Sequence, residues 1–542
     1  MSLIRFWRER SGPTAAFAFA IARALALIGS FGGAHAADQP QWGVGWSRNM
    51  VSRERALPDS FDVNSGRHIK WSAKLGSESH SSPVIAGGHV FIGTNNDEPR
   101  DARHQGDRGV LMCLDERTGE LVWQLVVPKR SDDQYFDWPK SGISSPATVE
   151  GERVYIVDNR GAVLCLDVRG MANGNDGPFT DEPAYFTPHP APPPTFKTRL
   201  GTIEPARAVE RDLKGDGDAH GAFSATDADI IWMLDMPSQA GIWPHDAAHS
   251  SILIDGDLLY LNTGTGVDNS HRAIRTPDAP SLLVLDKRTG ALVARDQEKI
   301  APQIFHATWS SPSRAVINGT ARIFFAAGDG ILRGFAPVIE SGGKIAGPRT
   351  LKRVWQFDPD PNAPKENVHR FTSNRQIGPS NIYGMPVALD GKIYVAGGGD
   401  LFWGKNEAWL KCIDATGMGD VTSTGEIWSY PLNRHVVSTP AITEDGLVFI
   451  ADVGRTVHCV ERASGKPLWT HATQGEFWAS PYVADGKVFI GNRKGEFFVF
   501  RASREKELLS SFQFKQPISA TACAANGVLY IGTMTHLYAV AL

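Results

Sequence analysis

One stretch of this chain repeats, and the repeat restricts the fold more than any other feature. Its cleanest copy is Val437-Ser-Thr-Pro-Ala-Ile-Thr-Glu-Asp-Gly-Leu-Val-Phe-Ile-Ala-Asp452, continued by Thr456-Val-His-Cys-Val-Glu-Arg-Ala-Ser-Gly-Lys-Pro-Leu-Trp469. A small-residue start leads to a short apolar run, a Gly turn and an alternating apolar run. A polar turn, a third run, Ser-Gly and a closing run ending in Trp follow. Four strands and three turns are the size of one propeller blade. Pro440 aligns with Pro481, and Pro481 with Ala522. A period of about 40 residues with four strands per unit marks a β-propeller.

First-strand registers fall at Pro83, Pro146, Ile252, Pro312, Pro386, Pro440, Pro481 and Ala522, which predicts eight blades. Closing strands end at Trp123, Trp232, Trp355, Trp428 and Trp469. The segment around Trp71 reads as a closing strand with no preceding strands, whereas the chain ends after a third strand at Leu542. The first strand should therefore complete the last blade, which removes two exposed sheet edges. The expected fold class is all-β: an eight-bladed β-propeller of four-stranded blades, closed by an N-terminal strand.

Residues 1–36 are expected to be a signal peptide. Arg5, Arg8 and Arg10 precede an apolar run, and Ala34-His35-Ala36 fits a small-x-small cleavage site. No Cys follows that run, so no lipoprotein attachment is expected, and no later apolar segment is long enough to span a bilayer. Residues 37–67 form a polar lead-in and 68–542 the propeller, with a Pro-, Asp- and Gly-rich insert at about 170–228. Shorter excesses at 95–108, 269–279, 358–381 and 399–409 should cover one face. The expected location is periplasmic or secreted. The formal charge of -4 gives no basic surface for nucleic acid or anionic lipid.

Five cysteines are present: Cys113, Cys165, Cys412, Cys459 and Cys523. The first four share a third-strand register in different blades. Packed sheets stand about 10 Å apart, too far for a disulfide, so these are expected to be small buried core residues. The absence of CxxCH and of adjacent cysteines excludes covalent haem c and a vicinal disulfide.

The pattern Asp115-x-x-Thr-Gly119-x-x-x-Trp123, with weaker copies ending at Trp428 and Trp469, resembles the PQQ-type (pyrroloquinoline quinone) repeat. That repeat builds eight-bladed quinoprotein alcohol dehydrogenases. It also builds PQQ-like propellers that lack the quinone, including the scaffold of the outer-membrane assembly machinery. Trp243-Pro-His245, Phe305-His306-x-x-Trp309-Ser-Ser-Pro and the late His435 are similar to those of uncharacterised secreted members. The chain departs from the dehydrogenases in lacking adjacent cysteines, and from the assembly scaffold in lacking a lipoprotein site. No catalytic residue carries over.

A propeller focuses one loop per blade on its axis. The position three before each first-strand register reads His80, Ile143, His249, Trp309, Tyr383, Val437, Trp478 and Ser519. Glu78, Asp137, Trp138, Lys140, His245, Asp246, His306, Asn374, Arg375, His435 and Glu476 stand slightly earlier in the same loops. The ligand-binding set expected at the mouth is His80, His245, His249, His306, Trp309, Arg375, His435, Glu476 and Trp478. Three readings stay open. The mouth binds a planar or polar small molecule, such as PQQ with its carboxylates near Arg375 or Lys140. Alternatively, His245, His249, His306 and His435 ligate a metal. In the third, the histidines satisfy loop carbonyls and the aromatics plug the channel. In the insert, Asp212, Asp216 and Asp218 resemble a calcium loop, with Lys214 at a ligand position.

Two functions follow as expectations. One is an exported propeller that binds a small molecule or a protein partner at one face. The alternative is a PQQ-dependent oxidoreductase of the alcohol dehydrogenase type, using a divalent cation such as Ca2+.

Overall fold

The computed structural model describes residues 37–130, 133–182, 185, 196–198, 201–203, 224–246, 249–339 and 347–542. The expected signal peptide and the calcium loop at Asp212, Asp216 and Asp218 lie outside these residues, as does much of the insert.

The strands form eight blades of four antiparallel strands in chain order, and the third and fourth blades each add a short fifth strand in parallel. Their first strands are Val84–Ala86, Thr148–Glu150, Leu253–Asp255, Ser313–Ile317, Val387–Leu389, Ala441–Ile442, Tyr482–Ala484 and Cys523–Ala525. Each begins within two residues of its expected register. The eighth blade is closed from the other end of the chain: Ile69–Lys74 pairs antiparallel with His536–Val540, setting Trp71 opposite Ala539. Inner strands lie between two neighbouring blades, so both of their faces are buried, as in Leu447–Asp452. Outer strands reach the rim, and exposed residues appear along Pro467–Ala472.

The Gly and Trp of the repeat act between blades. Trp71, Trp123, Trp232, Trp428 and Trp469 each dock on the turn of the next blade, whereas the buried indole N–H of Trp355 has no partner among the described residues. The indole N–H of Trp71 donates to the Glu116 carbonyl at 2.9 Å, that of Trp123 to Val168 at 2.8 Å and that of Trp428 to Arg462 at 2.9 Å. Gly119 has φ 75°, and a Cβ there would lie 2.5 Å from the Trp71 ring. Glycine is therefore required both for the left-handed turn and for the close approach. The cysteines share this logic. Cys113, Cys165, Cys412 and Cys459 stand directly opposite Trp123, Trp232, Trp428 and Trp469 in the sheet register. A small side chain leaves room beside each indole, and all five thiols are free and buried.

The lead-in proves to be part of the ring. Innermost strands leave backbone N–H groups unpaired along the axis, and residues 39–54 satisfy them blade after blade. Ile85 N–H donates to Gln39 O, Val149 to Pro40, Arg314 to Trp46, Ala388 to Ser47 and Val483 to Met50, all within 2.7–3.1 Å. Asn49 exchanges side-chain bonds with the backbone of Ile442. Glu54 takes the Gly527 amide of the eighth blade at 2.8 Å. Arg48 is fully buried and bonds Pro312 O, Ser251 O, Ser251 Oγ and Trp42 O at 2.8–3.0 Å. Among the described residues no helix is long and apolar enough to cross a membrane.

Candidate functional site

Antiparallel blades bring two kinds of loop to one end of the ring: those before the first strand, and those joining the second strand to the third. A cavity of about 770 Å3 opens there, with Trp42 of the lead-in among its lining residues. Seven of the eight positions singled out by register line it: His80, His249, Trp309, Tyr383, Val437, Trp478 and Ser519. Ile143 is buried instead. The second class of loop adds His271, Phe402, Trp403 and Arg493.

The walls are largely aromatic. The Trp309 and Tyr383 rings lie 4.4 Å apart, and His249 meets Trp309 edge-on at 5.3 Å. The Arg493 guanidinium sits over Trp478 at 4.7 Å, and its Nη1 donates to Ser519 Oγ at 2.6 Å. His80 pairs with Glu78 at 3.5 Å on the same side.

On the opposite wall, three histidines from three loops converge. His245 precedes the third blade, His271 lies in that blade's second-to-third loop, and His306 precedes the fourth. His245 Nε2 is 3.1 Å from His271 Nε2. One ring nitrogen from each of the three lies within 4.8 Å of the others. The Asp246 carboxylate stands 3.5 Å from His306 Nε2 and 3.8 Å from His245 Nε2. Behind His306, Asp400 of the fifth blade takes the Nδ1 side at 3.1 Å and also accepts from the Tyr383 hydroxyl. Gly266 makes the approach possible: a Cβ there would lie 2.6 Å from both His245 Cβ and the His306 carbonyl.

Electrostatics differ across this cluster. Burial, then the neighbouring His306 and His271, hold the His245 pKa well below its usual value. Burial and His306 also lower that of His271. Burial opposes the charged forms of His306 and Asp400, yet their mutual contact raises the imidazole and lowers the carboxyl. Burial pushes Asp246 up to about 6, against the pull of His306.

The expected mouth set is therefore divided. His80, His249, His306, Trp309 and Trp478 line the cavity, while His245 lies just behind its surface, stacked on Tyr135 at 5.5 Å. Arg375 is not in the cavity wall: its guanidinium holds the carbonyls of Gly404 and Phe402 at 3.0 and 2.8 Å. His435 bonds the Lys405 carbonyl at 2.8 Å, and Glu476 lies beside Arg493, its carbonyl accepting the Arg493 amide. Of the four histidines grouped as metal ligands, only His245 and His306 come together. His249 turns its Nε2 to the Asp246 carbonyl at 2.6 Å. His271, Asp400 and Arg493 were not singled out, because they lie outside the loops preceding first strands; Tyr135 lies in such a loop, before the second blade, and was not picked out there. Two other clusters can be discounted as ligand sets. In the cluster of Asp101, His104 and Asp227 the Arg103 guanidinium bridges the two carboxylates, and in that of Asp167, Asp176 and Asp229 the Asp167 carboxylate is paired with Arg153.

The lining fits PQQ with Ca2+ poorly. A tricarboxylate needs several cations, and among the lining residues Arg493 is the one arginine. Lys140, the other expected carboxylate partner, is paired with Asp97 at 2.9 Å. Calcium takes six to eight oxygen ligands, whereas the convergent donors here are imidazole nitrogens.

Sequence and structure comparisons place the fold. The family described as outer membrane protein assembly factor BamB matches residues 406–508. No curated protein matches in sequence. A europium-containing methanol dehydrogenase superposes with TM-score 0.55 at 10% identity, over 93% of this chain and 98% of that one. BamB from Moraxella catarrhalis gives 0.48 at 12% identity, over 87% and 96%. Quinohemoprotein alcohol dehydrogenase from Comamonas testosteroni gives 0.43 at 15%, over 98% and 84%. At such identities the likeness concerns fold alone.

Proposed function

On the fold of a PQQ-like β-propeller, we propose that this chain is an exported small-molecule-binding protein whose axial cavity takes a planar ligand. The observation that carries the reading is the convergence of seven register positions, aromatics and histidines prominent among them, on one cavity of about 770 Å3. A site of that size suits a small organic ligand. Flat rings stack on Trp309, Tyr383 and Trp478, and Arg493 orients one anionic group. The single lining arginine favours a monoanion over a tricarboxylate, which ranks this reading above the quinoprotein one.

Anthraquinone-2-sulfonate, a flat tricyclic quinone with one anion, is a suitable probe. It should quench intrinsic tryptophan fluorescence saturably, and Trp309→Ala should weaken binding about tenfold, the effect of roughly 1.4 kcal/mol of lost stacking. PQQ should bind more weakly, with no gain from Ca2+. Stoichiometric, Ca2+-dependent PQQ binding would instead establish the quinoprotein reading, and an unquenchable protein would remove both. Export rests on the Arg-rich, apolar N-terminus ending at Ala36. N-terminal sequencing of the exported chain should begin at Ala37; a full-length chain retained inside the cell would contradict it.

A further inference from the structure

We propose that His245, His271 and His306, with Asp246 beside them, form a mononuclear site for an imidazole-preferring divalent ion, Cu2+ or Zn2+, facing the axial cavity. Separations come first. Metal–nitrogen bonds of about 2.0–2.1 Å in a tetrahedron put two ligand nitrogens about 3.3 Å apart. The Nε2 atoms of His245 and His271 are 3.1 Å apart, and one ring nitrogen of His306 lies within 4.8 Å of both. The Asp246 carboxylate, 3.5 Å from His306 Nε2, supplies a fourth donor.

Proton placement is the second support. His306 Nδ1 faces Asp400, which as a carboxylate can only accept, so Nδ1 carries a proton and Nε2 is the atom turned toward Asp246 and the cluster. His245 hydrogen-bonds the backbone of Val267, and His271 that of Asn269. The Nε2 atoms of His245 and His271 face each other at 3.1 Å, close enough to share one ion. Outer partners that fix each ring's tautomer are the usual companions of histidine ligands.

His271, His306 and Asp246 also line the cavity, so an ion held here has one side toward any ligand. The site goes beyond the binding reading above and stands or falls separately from it.

The test uses the tag-free chain, stripped with chelator and titrated with Cu2+ and Zn2+ by calorimetry, with paramagnetic resonance of the Cu2+ form. One ion per chain should bind, and the spectrum should show nitrogen hyperfine structure from imidazole ligands. His271→Ala should weaken binding at least about 100-fold, and Asp400→Asn about 10–100-fold. His471→Gln, on an outer strand of the sixth blade, should leave binding unchanged. Absence of saturable binding, or equal affinity in His271→Ala, overturns the proposal. If that variant does not fold, X-ray absorption of the Zn2+-loaded wild type decides. Three imidazoles at about 2.0 Å support the site, and an oxygen-only shell overturns it. Failure of the quinone probe leaves these readouts untouched.

Discussion

Asp158 is a charge that the fold tolerates at a cost. It is fully buried in the second blade, where its Oδ1 accepts the amides of Arg160 and Ala162 at 2.9 and 2.8 Å. Burial outweighs those bonds and pushes its pKa up to about 6. In the unfolded chain an Asp titrates near 3.9. Between these values the folded state holds the extra proton, so stability falls as pH rises from about 4 to 6 and then levels off. The loss is on the order of 3 kcal/mol. Asp158→Asn keeps an acceptor for both amides and removes the titration. Denaturant unfolding should show the variant gaining about that much relative to wild type between pH 4 and 7.5. Parallel pH profiles for the two proteins would refute the assignment.

Strands and turns were legible in the sequence because each obeys a local rule. Gly119 and Trp123 mark a turn and a closing strand by spacing alone, and the structure adds that their partners lie in the neighbouring blades. Placing Trp71 in the last blade followed from counting strands. The site was legible only in part. Residues before first strands share a register, so His249, Trp309 and Trp478 could be picked out. His271 and Trp403 lie in loops of irregular length, recognised only as excess chain over one face. Nothing local indicates that His271 meets His245, or that Asp400 stands behind His306 94 positions away. The need for a glycine at position 266, against two histidine segments, emerges only in three dimensions. The lead-in was the largest omission. Its bonds go to one or a few residues of each blade, a pattern with no sequence period of its own.

At the scale of the whole ring, that lead-in ties the first strands together and sets its Trp42 in the cavity wall. Arg48 ties the third and fourth blades to Trp42, with three carbonyls and a hydroxyl as its acceptors. Burial without a counter-charge lowers its pKa to about 9. Arg48→Ala strands those buried acceptors and should lower unfolding stability by on the order of 3 kcal/mol or more. It should also loosen the Trp42 side of the cavity and weaken probe binding. A variant as stable as wild type would mean that the lead-in is dispensable to the ring. The central claim is that the axial cavity holds a small molecule in the working protein, and native mass spectrometry of the chain purified from its producing cells tests it most directly. The expected spectrum shows one adduct of small-molecule mass per chain, lost on mild activation and absent from a Trp309→Ala/Trp478→Ala variant. A bare chain under the gentlest conditions, or an adduct that persists in the variant, would contradict the claim.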